Sequence, residues 1–186
     1  MLEVFTTRPD TIMGVTYVVL APEHPLVKKI TTPEHAKQVE KYIQEVSSKS
    51  DLERTSTGKD RGKTGVDTGA YCIHPLTNEK VPIWVADYVL YGYGTGMVMA
   101  VPAHDERDYA FATNFKLPIK RVLNSVSESN DLPMTEAGII CNSGVEFDGL
   151  TMEACQNKVV TLLTSKEAGG EQVTYKLRDW VFSRQR

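Results

Sequence analysis

The rhythm of apolar and polar positions changes several times along this 186-residue chain, and each change marks an element. Leu2-Glu3-Val4-Phe5 and Gly14-Val15-Thr16-Tyr17-Val18-Val19-Leu20 are rich in β-branched residues and predict strands over Leu2 to Thr6 and Gly14 to Leu20. The Arg8-Pro9-Asp10 corner between them is stiff, because Pro9 locks its own φ and biases Arg8 to extended backbone. From Thr32-Pro33-Glu34 to about Val46 the apolar Ala36, Val39, Ile43 and Val46 recur at helical spacing. Thr32 reads as the cap of this surface helix and Pro33 as its first-turn proline.

Ser47 to Lys63 holds almost nothing apolar and predicts a mobile loop or a partly helical excursion. Strand signals return at Ala70 to Ile73 and Lys80 to Val85, on either side of the turn-forming Pro75-Leu76-Thr77-Asn78-Glu79, which together predict a hairpin. Met97 to Val101 reads as a strand and Asp105 to Phe115 as a helix with Tyr109, Ala112 and Phe115 on one side. Leu117 to Val122 is strand-like, Ser125 to Met134 a polar loop, Thr151 to Thr164 a helix through Met152, Cys155, Val159 and Leu162, and Tyr175-Lys176-Leu177 a last strand. With no internal repeat, the pattern predicts one α+β domain: a mixed, β-barrel-like core of short strands flanked by a few helices.

Composition narrows the classes of partner. At 41% hydrophobic and 24% charged residues the chain can bury a real core, as a soluble globular domain does. Its formal net charge of -3 and pI of about 5.8 supply no global basic field, so nucleic acid has to be gripped locally or by another part of a larger protein. Cys72, Cys141 and Cys155 are far apart, odd in number and without CxxC spacing, which argues against a disulfide framework or a zinc knuckle and for reduced thiols. No apolar run approaches the roughly 18 residues that a membrane span needs, and the expectation is a cytoplasmic protein with an organellar form left open. The strand-like start and the abrupt Arg178-Asp179-Trp180-Val181-Phe182-Ser183-Arg184-Gln185-Arg186 end suggest a domain excised from a longer chain.

Chemistry concentrates in two segments. Thr6-Thr7-Arg8-Pro9-Asp10-Thr11 places three hydroxyls around one rigid corner, where they can bond ribose or ester oxygens and orient a water. The bland reading is that they are ordinary strand and turn threonines. Gly94 to Asp108 runs from a glycine turn through an apolar strand into the doubly acidic start of a helix. Asp108 would sit in the first turn of that helix, among free backbone N–H groups and the positive end of the dipole. Either it completes a cap begun by Asp105, or it points outward to receive a substrate ammonium. His104 reads as structural or capping, since His24, His35 and His74 stand in unrelated contexts and offer no ligand spacing. There is no Gly-x-Ser-x-Gly elbow and no His-paired cysteine signature, which favours water as attacker. Gly94-Thr95-Gly96 is too short for a phosphate-binding loop.

Taken in order, these segments resemble the editing domain inserted in leucyl-tRNA synthetases, known as connective polypeptide 1. Thr6 to Thr11 matches the family's threonine-rich motif. Gly94 to Asp108, with Met99-Ala100-Val101-Pro102 followed by His104-Asp105 and Arg107-Asp108, matches its second motif in the leucine enzyme's form. Lys63-Thr64-Gly65, Gly69-Ala70-Tyr71, Val81 to Leu90 and Leu177 to Arg186 are also similar, the last being where such a domain re-enters the synthetic domain. The resemblance spans essentially the whole chain and implies a single editing domain over residues 1–186, a post-transfer deacylase within a larger synthetase.

What the resemblance implies is hydrolysis of the ester in misacylated tRNA(Leu), releasing norvaline, isoleucine or methionine and sparing leucine. The need is physical: one methylene discriminates by only about 1–3 kcal/mol, so a synthetic site requires a second sieve. By this analogy Asp108 binds the α-ammonium and Thr11 excludes the γ-branched leucine side chain by a clash. Met99 and Val101 line the pocket with Tyr93 nearby, while Thr6 and Thr7 contact the terminal ribose, the developing oxyanion and its water. Arg8 and Arg107 are candidates for tRNA contact or for pairing with a neighbouring carboxylate. No metal or cofactor is implied for this domain, whereas the parent enzyme uses ATP and magnesium in its synthetic domain. The His-Ile-Gly-His and Lys-Met-Ser-Lys-Ser signatures of that synthetic domain do not occur here. The implied partners are the aminoacylated 3′ end of tRNA(Leu) and the synthetic domain, in a monomer without membrane attachment. Two rival readings remain: a non-catalytic docking appendage for the tRNA 3′ end, and a metal-dependent hydrolase built on His104, Asp105 and Asp108.

Overall fold

The computed structural model describes residues 2–50, 53–54, 64–125 and 131–172. Its centre is β1 (Tyr17–Leu20), four apolar residues all buried, as expected of a strand covered on both faces. Around it lie β2 (Gly65–Ile73), β3 (Lys80–Ala86) and β4 (Met97–Ala100) in a four-stranded sheet of order β2-β3-β1-β4. β1 runs parallel to β3 and antiparallel to β4, and β2 with β3 forms the predicted hairpin. A second, two-stranded sheet joins β5 (Leu123–Ser125) to β6 (Gly138–Ile140).

Alternation along β1 decides what each face carries. Val18 and Leu20 pack with Val27, Val39, Val81, Ile83, Val85 and Met97 under α1 (Val27–Ile30) and α2 (Ala36–Ser47). Tyr17 and Val19 face the aromatic layer of α3 (Glu106–Phe115). There Phe111 stacks on Tyr17 at 5.4 Å between ring centres and meets Trp84 edge-on at 5.6 Å, so the start of α3 is anchored against the sheet. A third cluster joins Ile12, Met99, Val101, Leu123, Met134, Ile140, Phe147, Cys155 and Val159 beneath α4 (Met152–Ser165).

Prediction and structure agree on the hairpin, the Met97 strand and the helices capped by Asp105 and Thr151, whose side chains accept first-turn N–H groups. They part where tertiary packing overrides propensity. Leu2 to Thr6 forms no strand, because Leu2 and Val4 pack sideways onto the core outside any ladder. Residues Pro9–Gly14 form a short 3-10 helix, which delays β1 to Tyr17. Thr32 does not cap α2; its hydroxyl meets His35 Nδ1 (2.9 Å) and the Thr68 carbonyl (3.3 Å), and the helix starts at Ala36. Leu117 to Val122 is not a strand, as the Val122 N–H goes to a histidine, and β5 begins one residue later. β6 was not foreseen. The α+β class holds, but among the described residues the sheets stay open rather than closing into a barrel. Most of the Ser47–Lys63 excursion, part of the Ser125–Met134 loop, the Tyr175–Leu177 strand and the Leu177–Arg186 segment lie outside the described residues.

Candidate active site

One side of the domain opens into a cavity of about 360 Å³, lined by Phe5, Thr6, Thr7, Arg8 and Thr11 on one wall, Tyr88, Val89, Leu90 and Tyr93 on a second, and Val98, Met99, Val101, His104, Asp105, Arg107 and Asp108 on a third. That is the lower end of the range for small organic ligands. All nine residues singled out from the sequence (Thr6, Thr7, Arg8, Thr11, Tyr93, Met99, Val101, Arg107 and Asp108) meet here, although the two motifs stand some ninety positions apart.

The threonine wall is rigid for reasons visible in its hydrogen bonds. The Arg8 carbonyl accepts both the N–H (3.1 Å) and the hydroxyl (2.9 Å) of Thr11, and the Thr6 hydroxyl oxygen accepts the Arg8 N–H at 3.0 Å. Asp10, fully buried, takes the Arg8 guanidinium in a forked pair at 2.8–3.2 Å and the Gln156 amide at 3.0 Å, which ties the turn to α4. Thr11 is completely buried, Thr6 half-buried and Thr7 exposed.

Asp108 belongs to the third wall. Its Oδ2 accepts the Val101 N–H and its Oδ1 the Tyr88 hydroxyl, each at 2.9 Å, while the Tyr17 hydroxyl donates to its backbone carbonyl at 3.0 Å. Asp105 caps the helix, accepting from Arg107 N (2.8 Å) and Asp108 N (3.1 Å). Burial, aided by the charge of Asp105, pushes the Asp108 carboxyl up to about 7, against the pull of the Val101 N–H, the Tyr88 hydroxyl and Arg107. So Asp105 is the cap, and Asp108 is more than a cap: a desolvated carboxyl with both oxygens steered, at the wall of a cavity.

The two arginines are paired with their neighbours. Arg8 is committed to Asp10 (2.8 Å), and Arg107 meets Asp105 at 3.2 Å in an exposed pair of small energetic worth. His104 is structural: its Nε2 accepts the Val122 N–H and its Nδ1 donates to the Met134 carbonyl, both at 3.0 Å. Both ring nitrogens are thus occupied in a neutral imidazole whose pKa burial lowers, which leaves no lone pair for a metal. No cluster of His, Cys, Asp or Glu able to hold a metal ion occurs among the described residues.

Sequence reasoning missed Tyr88, the phenol that holds Asp108. The available signal was a tyrosine at the end of an apolar run: once buried, its hydroxyl needs a partner. It also gave no role to Phe5, which packs edge-on against Tyr93 at 6.2 Å on the rim.

An α+β domain whose hydroxyl-bearing turn, apolar strand wall and buried carboxyl surround one small cavity has the make-up of a small-ligand site. Comparison with known proteins makes this specific. The family described as leucyl-tRNA synthetase, editing domain, matches residues 1–164. The chain is 58% identical over 186 residues to a leucine--tRNA ligase of Clostridium perfringens (strain 13 / Type A) and 54% identical over 187 residues to that of Borrelia duttonii (strain Ly). These alignments cover 99% and 100% of this chain and 22% of each relative, so it spans about a fifth of their length. A crystal structure of the ternary complex of Agrobacterium radiobacter K84 agnB2 LeuRS, tRNA and LeuAMS is similar with a TM-score of 0.70 at 34% identity, over 96% of this chain and 19% of that one. The chain belongs to the leucyl-tRNA synthetase editing-domain family.

Proposed function

We propose that this domain hydrolyses the ester between a noncognate amino acid, such as norvaline, isoleucine or methionine, and the terminal adenosine of tRNA(Leu), while sparing leucine. One observation carries the reading: the Asp108 carboxyl, held by the Val101 N–H and Tyr88 hydroxyl, faces the same small cavity as Thr6, Thr7 and Thr11. Burial holds the Asp108 carboxyl up at about 7. An arriving α-ammonium favours the charged form, so the carboxyl ionises as it binds and the new pair is desolvated and directional.

Thr11, immobilised by two hydrogen bonds to Arg8, stands where a γ-branched side chain would press, and the size limit is set by a rigid wall rather than by a flexible one. Met99 and Val101 give the side chain an apolar seat, with Tyr93 at the rim. Thr6 and Thr7 bond the ribose and the developing oxyanion. No histidine in the pocket is free to act as base, because His104 uses both nitrogens, which favours a water activated by a ribose hydroxyl of the substrate itself. Arg8 and Arg107 would reach tRNA only by sharing or leaving their carboxylate partners. Residues 1–186 act as one editing domain of a cytoplasmic or organellar synthetase, and the synthetic domain supplies most of the tRNA grip.

Asp108→Ala tests the reading, since it leaves the ammonium without a counter-charge. Loss of hydrolysis of Ile-tRNA(Leu) with tRNA binding retained is expected. Hydrolysis at a near-normal rate would return Asp108 to a purely structural place.

A further inference from the structure

Tyr88 lies outside the strand ladder, in the turn after β3, yet its hydroxyl must stay within hydrogen-bond reach of Asp108. What holds that turn is a residue from a distant part of the chain. Arg54, 6% exposed, donates from Nε to the Asp87 carbonyl at 2.8 Å and from Nη2 to the Val89 carbonyl at 2.9 Å, bracketing Tyr88 on both sides. Its Nη1 pairs with Glu23 Oε1 at 2.6 Å. The neighbouring Asp87 carboxylate is pinned separately, by Lys49 Nζ at 2.9 Å and the Thr64 hydroxyl at 2.8 Å. The three acceptors are reached from three separate nitrogens of one planar guanidinium, a fixed fork that an ammonium, with all its donors on a single nitrogen, does not reproduce.

We propose that Arg54 is a positioning residue for the editing site: by clamping the carbonyls of Asp87 and Val89 it keeps the Tyr88 hydroxyl on Asp108 Oδ1, and so keeps that carboxyl aimed for an arriving ammonium. The inference rests on the reading of Asp108 given above. Every charged or titratable group facing Asp108 enters the balance. Asp105 and Arg107 act from its own helix turn, Tyr17 from β1 and Tyr88 from the clamped turn. Of these, Tyr88 has its flanking carbonyls held by Arg54, which does not itself line the cavity. Arg54 therefore acts through Tyr88, and the same clamp holds the carbonyl of Val89, which lines the cavity with Leu90.

The test uses the 186-residue chain with carboxyl-carbon NMR titration of Asp108 alongside single-turnover deacylation of Ile-tRNA(Leu) from pH 5.5 to 8.5. Tyr88→Phe is expected to raise the Asp108 midpoint by about one unit, slowing hydrolysis about tenfold at pH 6 and less than about twofold at pH 8.5. Arg54→Lys should shift the midpoint in the same direction, and the double variant should add nothing to Tyr88→Phe. If Arg54→Lys fails to fold, Glu23→Gln loosens the same guanidinium from its exposed side and reads the same coupling through a smaller shift in the same direction. Variants that lower thermal stability while leaving the Asp108 midpoint and the pH profile unmoved would overturn the proposal, as would additive shifts. A wild-type chain that binds the tRNA and hydrolyses nothing, with the midpoint moving as expected, would instead defeat the editing reading and leave the clamp in place.

Discussion

Replacing Asp108 by Asn should make the protein more stable at alkaline pH while removing its activity. The argument starts from burial: the carboxyl stands at about 7 where an unperturbed Asp stands at 3.8, a shift of about three units. At about 1.36 kcal/mol per unit, ionising this group costs the folded state about 4 kcal/mol relative to the unfolded chain. The sign follows from proton counting. Between the unfolded and folded values the native state holds the extra proton, so the contribution is fully present below about pH 4 and is lost as pH rises through 7. An Asn of the same shape never ionises. It can keep an acceptor on the Val101 N–H and offer its amide to the Tyr88 oxygen.

The assay is urea unfolding of both proteins at pH 5.0 and 8.5, since the difference of differences cancels every other titrating group. From pH 5.0 to 8.5 wild type should lose about 3 kcal/mol that Asp108→Asn keeps. Parallel pH dependences, agreeing within about 0.5 kcal/mol, would refute the claim that a desolvated carboxylate is stored at this site.

His104→Ala orphans the Val122 N–H and the Met134 carbonyl and should cost about 2–3 kcal/mol at pH 7.5 by chemical denaturation. Because burial holds the His104 pKa below the ordinary 6.5, its contribution is present above that value and lost as pH falls through the depressed one, so the variant should show a shallower acid slope than wild type. Gly65→Ala would put a Cβ 2.6 Å from the Phe111 ring and 2.8 Å from the Val85 carbonyl; a loss of about 1–3 kcal/mol in unfolding free energy is expected, and an unchanged melting temperature would contradict that packing. Thr11→Ala opens the rigid wall, and release of leucine from correctly charged Leu-tRNA(Leu) is the outcome to look for, continued sparing the outcome that counts against the sieve.

Much of this could be read from the sequence, and the parts that could not share a cause. Period-2 and period-3.6 patterns located the β2–β3 hairpin, β4, α3 and α4 because those elements bury one regular face. Leu2 to Thr6 misled because its apolar residues are buried by side contact without a strand partner, and Thr32 because its hydroxyl is taken by His35 and Thr68. The site was legible where motif residues face the cavity themselves. It was illegible where a residue works on another, as Arg54 does on Tyr88 across some thirty positions, since no local spacing records such a contact. Asp108 stands between the two cases. Its position at a helix start was plain, but its desolvation depends on Tyr17, Tyr88 and the strand behind it.

The most direct measurement is amino-acid release from Ile-tRNA(Leu) and Leu-tRNA(Leu) by this 186-residue chain under single-turnover conditions, with excess chelator present. Isoleucine released and leucine retained, at rates the chelator does not change, is the predicted result. Slow rates are compatible with it, since the synthetic domain would hold most of the tRNA. Intact tRNA binding with neither ester cleaved would make the domain a docking appendage, and hydrolysis abolished by the chelator would contradict the metal-free site.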